Sequence, residues 1–386
     1  MTDKHLNRIA SIDTLRGFVI LLMLVDHVRE RFFLHKQVLD PMDINTTDPE
    51  LFFTRLTAHL CAPIFVFLTG ISAWLYANPS VGVKRSVHSF LCKRGLILIL
   101  LEVTLINFSW FGAYQTLYLQ VIWAIGLSMI ALAVTAYFPR LWIAIIGLMI
   151  VAGHNLLSPI QFSESDFGYS IWTIIHDRGY LISDGVLNIK ISYPVLPWIG
   201  VIMLGYVTGA LFSSNISSGV RKSTLLKVGI SLVVILFILR GFNLYGETQA
   251  WAYQASFILT AMDFFNYTKY PPSLDFLLFS LGLGTLILAW LETAKATWLT
   301  KINILGSAPM FFYILHLYAL LIIYSLAYLL WGPNTFYGDT QQGYFAFTDI
   351  GQVWCFSAVL ALLLYWPTKK FSEFKRCTNK QWVKYF

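Results

Sequence analysis

The sequence predicts an all-α polytopic membrane protein, a bundle of about ten transmembrane helices folded as one integral membrane domain over residues 1–386. Three observations carry that expectation. Of the 386 residues, 57% are hydrophobic and only 12% are charged, whereas a soluble domain is about a quarter charged. Mean hydropathy is +0.65. The apolar residues also fall into successive runs near the ~20 residues that cross about 30 Å of hydrocarbon. No linker, low-complexity tract or fixed-period repeat divides the chain.

Ten runs follow in order. The first, Leu15 to Phe33, leaves a polar start without the small-residue cleavage site of a signal peptide, so it is expected to be retained. The second is Leu60 to Ala77. Lys84, Arg85, Lys93 and Arg94 separate it from the third, Gly95 to Phe111. Leu117 to Phe138 and Leu141 to Leu157 flank Arg140, and Tyr193 to Phe212 and Leu225 to Phe242 flank Arg221 and Lys222. Leu277 to Leu291 is short, Leu305 to Leu330 is long, and Ile350 to Trp366 is the tenth. An eleventh run, Trp251 to Phe265, is interrupted by Gln254 and Asp263.

Basic loops stay cytoplasmic. Ten spans put most of the 27 Lys and Arg on one side, including Lys4, Arg8 and the tail from Lys369 to Lys384, and most acids on the other. Both termini are therefore expected in the cytoplasm. The loops Gln37 to Arg55 and Ser158 to Ile191 are expected on the opposite side, polar and aromatic enough to form a lid. The net charge of +7 sits in short loops beside spans, where anionic lipid headgroups meet it, so nucleic acid is not an expected partner. The tail mixes basic and aromatic residues as an interfacial anchor does. Cys61, Cys92, Cys355 and Cys377 show no zinc spacing, and no metal site is expected. GxSxG elbows, Walker loops and HExxH helices are absent from the sequence.

The first run holds an ion cluster that hydrocarbon penalises: Arg16, Asp26, His27, Arg29, Glu30 and Arg31. A charge near the bilayer centre costs roughly 2.5 to 3.5 kcal/mol on insertion scales, so such groups usually face a polar pathway or a reaction centre. Arg16 and His27 are eleven residues apart, which returns them to nearly one face about 16 Å apart along a helix. Such a line suits a long phosphate-bearing donor, the cation at the phosphate and the imidazole handling a proton. Arg16 as a positive-inside anchor and His27 as part of a packing network with Asp26 and Arg29 are the plainer alternatives. His35, in the loop with Lys36 and Asp40, reads equally as a solvated histidine. His59, near Arg55 and Pro63, is a catalytic or acceptor-site candidate against an interfacial cap. His316, three residues after Tyr313 on one helix face, reads more readily as packing than as function. Glu102 and Asn107 read as helix-bridging polar groups. Pro194, Pro197 and Trp198 would break a helix end and shape a pocket.

Arg16, ten residues and His27, within Ser11 to Gly17 (SIDTLRG) and an apolar helix, resembles the first-helix motif of membrane acyltransferases. The sequence is more similar to the heparan-α-glucosaminide N-acetyltransferase catalytic-domain family. Thr57 to Gly70, Tyr193 to Gly200 with Leu204 to Tyr206, and Leu305 to His316 carry the likeness along most of the chain. The resemblance implies an inner-membrane, multi-pass acyltransferase. It would take an acyl group, commonly acetyl, from acetyl-CoA on the cytoplasmic face and pass it to a hydroxyl or amine of a sugar or glycan reached from the far side.

The broader motif places catalysis on His27, with Asp26 or Glu30 setting its tautomer. In the lysosomal member an Asn stands at that position and the catalytic His falls near His35, so His27, Asp26, His35 and His59 form the catalytic set. Arg16, Arg85 and Arg94, with Lys84 and Lys93, would receive the donor phosphates. Arg29, Arg55, Trp198, Tyr313 and His316 would face the acceptor. Direct transfer and a route through an acyl-histidine stay open, as does a homodimer. A proton-coupled small-molecule transporter, with Asp26, His27 and Glu102 as relay, is the competing class, although inverted repeats are not apparent.

Overall fold

A computed structural model describes residues 9–336, 343–378, 380 and 383. Helix α1 (Ala10–Phe32) lies at the centre of a mostly helical bundle and packs against helices from both halves of the chain. The helices α2 (Pro49–Ala58) and α3 (Cys61–Ala77) follow nearly end to end, joined by His59 and Leu60 in right-handed helical geometry. Next come α4 (His88–Leu101), a π-helical turn over Glu102–Ile106 and α5 (Asn107–Phe111), continuous with one another. After strand β1 (Thr116–Leu119) come α6 (Val121–Thr135), α7 (Arg140–Gly153) and the short α8 (Tyr169–Ile175). Strands β2 (Gly179–Ile182) and β3 (Asn188–Ile191) lead into α9 (Leu196–Thr208) and α10 (Ser218–Gly241). The remaining helices are α11 (Phe257–Phe264), α12 (Leu274–Leu291), α13 (Trp298–Ser307), α14 (Pro309–Trp331) and α15 (Ile350–Cys377). A two-residue ladder, β4 (Thr335–Phe336) with β5 (Gly343–Tyr344), sits between the last two.

Local chemistry sets several of these boundaries. Ser217, Ser256 and Ser273 each cap a helix by accepting the backbone N–H three residues on, and Pro49 and Pro309 stand in first turns, where no N–H is needed. Helix α6 has no cap of its own. Instead Glu102, presented by the π turn, accepts Trp123 N at 3.1 Å and closes the α6 N-terminus from the neighbouring helix.

Among the described residues, six helical segments are long and apolar enough to cross a membrane: Pro49–Ala77, Arg140–Leu157, Ser218–Gly241, Leu274–Leu291, Pro309–Trp331 and Ile350–Cys377. Only 17% of the apolar window of α10 is buried in the protein against 72% of that of α12, which puts α10 at the lipid-facing rim and α12 inside. The other four expected spans also meet helices, but of different character. Helix α1 carries too many charges to qualify, the α4 to α5 unit contains the π turn, and Val121–Thr135 and Leu196–Phe212 are short.

Four expectations need correction. The fold is not purely helical: β1, β3 and β2 form a three-stranded sheet in that order, β1 parallel and β2 antiparallel to β3. Asn107 extends its edge by bonding both backbone groups of Tyr118, so the run from Leu117 starts as strand. The Leu305 to Leu330 run is two helices, broken at Ala308 because Pro309 disfavours helical geometry before it. The Gln37 to Arg55 loop is helical from Pro49, and Trp251 to Phe265 holds only the eight-residue α11, far too short to span. The expected roles of Lys4, Arg8 and Lys384 lie outside the described residues.

Glycines set the closest helix crossings. A Cβ on Gly306 of α13 would lie 1.7 Å from Asp13 O of α1, and one on Gly17 would lie 2.1 Å from Ile302 O. Gly70 of α3 and Gly205 of α9 face each other's helices as tightly. Small residues let backbones approach where no hydrophobic driving force separates helix from lipid. Gly306→Ala should destabilise the protein by about 1 to 3 kcal/mol, seen as a lower melting temperature in detergent. Gly153→Ala, with nothing within 4 Å, should leave it unchanged.

Candidate active site

His27 lies in the last turns of α1, and His316 lies two turns into α14. Their imidazoles meet, Nδ1 of His27 standing 2.7 Å from Nε2 of His316. The hydrogen bonds assign the tautomers. Nδ1 of His316 is 2.8 Å from the Phe312 carbonyl oxygen, which only accepts, so Nδ1 carries the proton. In a neutral His316, Nε2 is then the acceptor, and Nδ1–H of His27 donates to it. This leaves Nε2 of His27 as a lone pair without a hydrogen-bond partner among the described residues. Trp110 and Tyr313 stand edge-on to His27 at 5.1 and 5.8 Å and hold the ring in place. His316 is fully buried, while His27 is partly accessible.

The preceding residue points elsewhere. Asp26 Oδ1 accepts Arg29 Nε and Nη2 at 3.0 and 2.9 Å, and Oδ2 accepts Arg55 Nη1 of α2 at 2.8 Å. Glu30 flanks both cations, at 3.3 Å from Arg29 and 3.9 Å from Arg55. The expectation that Asp26 or Glu30 sets the His27 tautomer is therefore corrected: His316 does so, and the carboxylates are taken by the two guanidinium groups. Arg31 turns the other way, donating to Ser109 O at 2.8 Å and lying over Trp110 and Tyr324.

His59 ends α2, buried, its ring 5.0 Å from Phe276 and its Nδ1 unpartnered, within electrostatic reach of Arg55 and Asp26. It borders the ion cluster. His35 sits in the turn after α1 against Phe33, where burial and then the Lys36 charge hold it below the usual histidine value. In the same loop burial pushes the Asp40 carboxyl up, against the pull of Arg55 and Lys269. Trp198 is fully buried with its Nε1 unpartnered and packs on Tyr193 at 5.7 Å.

The other end of α1 holds Arg16. Its guanidinium donates to Asp13 at 2.6 Å, Gly306 O at 3.3 Å and Ser72 Oγ at 3.1 Å, which tie α1 to α13 and α3. Arg94 lies within electrostatic reach of Arg16. Tyr76 and Phe90 stack at 4.0 Å, with Arg85 over the first ring and Arg94 over the second. Arg94 Nε is buried and unpartnered.

The structure thus brings His27, Tyr313 and His316 together, gathers Asp26, Arg29, Arg55 and His59 into an adjoining cluster, and collects Arg16, Arg85 and Arg94 at the far end. Sequence reasoning missed Trp110, whose ring wedges between Arg31 and His27, and Lys269, whose side chain is buried near Asp26 in a loop. A basic residue in a polar loop carries no signal of burial. Asp13, three residues before Arg16 and so on its face, was the legible signal that Arg16 is paired.

The central helix thus carries a histidine lone pair at one end and a guanidinium at the other, inside a bundle with membrane-spanning helices. The catalytic-domain model of heparan-alpha-glucosaminide N-acetyltransferase matches residues 8–236, and the chain belongs to that family. It is accordingly a multi-pass membrane acyltransferase. A search of the curated proteins finds no match. His27 falls inside the matched segment, whereas Tyr313 and His316 fall beyond it.

Removing one partner of a buried ion pair strands the other, at about 3 to 5 kcal/mol. Arg55→Ala should therefore lower stability in detergent by that order, measured by thermal unfolding, while Lys36→Ala at the exposed pair with Asp48 should change it little.

Proposed function

We propose that this protein moves an acyl group, acetyl in the first instance, from acetyl-CoA on the cytoplasmic side to a hydroxyl or amine of a sugar or glycan on the other side, with His27 as general base. The observation that carries the reading is the unshared Nε2 of His27 beside a histidine that fixes its tautomer. His27 Nε2 takes the proton of the acceptor hydroxyl or amine as that atom bonds to the acyl carbon. The thioester C–S bond breaks, and the imidazolium returns the proton to the departing thiolate. His316 positions His27. Asp26, Arg29, Arg55 and His59 hold the end of α1 near the acceptor, with Tyr313 and Trp198 shaping its surroundings.

Residues at the opposite end suit a polyanionic donor. Arg94 Nε lacks a partner, and the Tyr76 and Phe90 stack offers flat rings between two guanidinium groups. Arg16 contributes charge there while paired to Asp13. We read residues 1–386 as one inner-membrane domain with both termini cytoplasmic, because α1 packs on helices of both halves and the basic residues favour that orientation.

Loss of a general base typically costs a hundredfold to ten-thousandfold in rate. His27→Ala should lose acetyl transfer by that factor while still binding acetyl-CoA, measured with radiolabelled donor and by calorimetry. The rate should fall as pH falls, since protonation removes the Nε2 lone pair. An inactive His35→Ala beside an active His27→Ala would move the role to the loop. Proton-coupled solute uptake into proteoliposomes without acetyl transfer would favour the transporter reading.

Donor binding tests the other end. Arg94→Ala should weaken acetyl-CoA binding about tenfold or more, as charge-assisted contacts to phosphate do, and the remaining affinity should depend less on salt. Lys380→Ala should leave it alone.

A further inference from the structure

On the side of the bundle where α1 ends, a cavity of about 340 Å³ opens between the segment after α7 and the segment before α12. That volume lies within the range of small-molecule sites. Asn155, Gln161, Thr248 and Ser273 are among the lining side chains and offer hydrogen-bonding groups to an occupant, beside the Tyr270 ring and Pro271.

The wall has a charge pattern. Asp177 accepts from His176 Nδ1 at 2.7 Å and Trp172 Nε1 at 2.9 Å, and nearby Glu247 accepts from the Thr268 backbone N–H and hydroxyl. Those carboxylates are occupied. Arg178 is not: its guanidinium lies 4.4 Å over the Tyr270 ring and makes no hydrogen bond or ion pair among the described residues, Asp40 being in electrostatic reach only. Arg178 is exposed at this wall, and a forked guanidinium held over a ring with no protein hydrogen bond is complementary to a planar or tetrahedral anion.

The cavity also adjoins the ion cluster. Tyr270, part of its wall, donates its hydroxyl to Tyr193 Oη at 3.1 Å, and both tyrosines lie within reach of Arg55. Arg55 in turn binds Asp26, the chain neighbour of His27. One tyrosine is thus shared between the cavity and the cluster that supports the base.

We infer that this cavity is the acceptor docking site and that it selects a hydroxyl-rich molecule bearing a carboxylate or phosphate group, which Arg178 receives. The inference rests on the acyl-transfer reading.

The test is binding of glucose, glucuronic acid and glucose 6-phosphate to the purified full-length chain in nanodiscs, by calorimetry without acetyl-CoA. At least one acidic probe should bind tenfold or more tighter than glucose, and which one does so separates carboxylate from phosphate recognition. Arg178→Gln should bring that probe down to the glucose level, Arg178→Lys should fall between, and the exposed Lys227→Gln should match the parent. Equal binding of all three probes, or unchanged affinity in Arg178→Gln, overturns the inference. Arg178-dependent binding in a protein that transfers no acetyl would sink the catalytic reading alone. Acetyl transfer with an acceptor KM indifferent to Arg178 would sink the docking site alone.

Discussion

Asp26 is held on both carboxylate oxygens, by Arg29 from its own helix and by Arg55 from the next. A lone carboxylate in this interior would cost several kcal/mol, so the pairing is a condition for burying this end of α1 at all. It also sets the helix's azimuth. Consecutive residues diverge by about 100° around a helix, so fixing Asp26 toward α2 turns His27 away from that helix, toward α14. The imidazole then meets His316 rather than a carboxylate. The charged residues are thus the frame that aims the His27 imidazole.

The two ends of α1 are built differently. At the Arg16 end the backbones of α1 and α13 nearly touch through Gly17 and Gly306, and Arg16 donates across that contact to the Gly306 carbonyl. Packing and charge are one device there. At the His27 end aromatic rings fill the space, and the polar groups are partnered by Arg55 of α2, the Ser109 carbonyl of α5 and His316 of α14. A close backbone contact gives rigidity at one end, while rings around a partly accessible imidazole leave room for a substrate at the other.

Much of the helical framework was legible because apolar run length reports directly on spanning segments. The Ala308 break was written in Pro309, and glycines of the motif segments, Gly17, Gly70, Gly205 and Gly306, mark the closest crossings. What sequence did not show was pairing at long range. His316 looked like a packing histidine among aromatics, since nothing local to α14 announces the imidazole of α1. Asp26 and Glu30 looked like partners of His27 because one adjoins it in sequence and the other follows by one turn, yet Asp26 diverges from it by about 100° and Glu30 lies against Arg29 and Arg55. Lys269, Tyr270 and Arg178 sit in polar loops whose burial and stacking come only from the folded chain. The small sheet was hidden for the same reason, its strands being four residues each and β1 meeting β3 from about 70 positions away.

The two bonds at the end of α1 differ in reach: Asp26 to Arg55 spans 29 residues, His27 to His316 spans 289. A chain emerging from the ribosome can close the first as soon as its opening helices enter the bilayer, and must wait for α14 to close the second. Charge is neutralised early, when exposed ions would hinder insertion, and His27 acquires its tautomer late. A chain that stops before α14 holds its Asp26 pair but lacks the partner of His27, so the last third of the protein completes what the first helix begins.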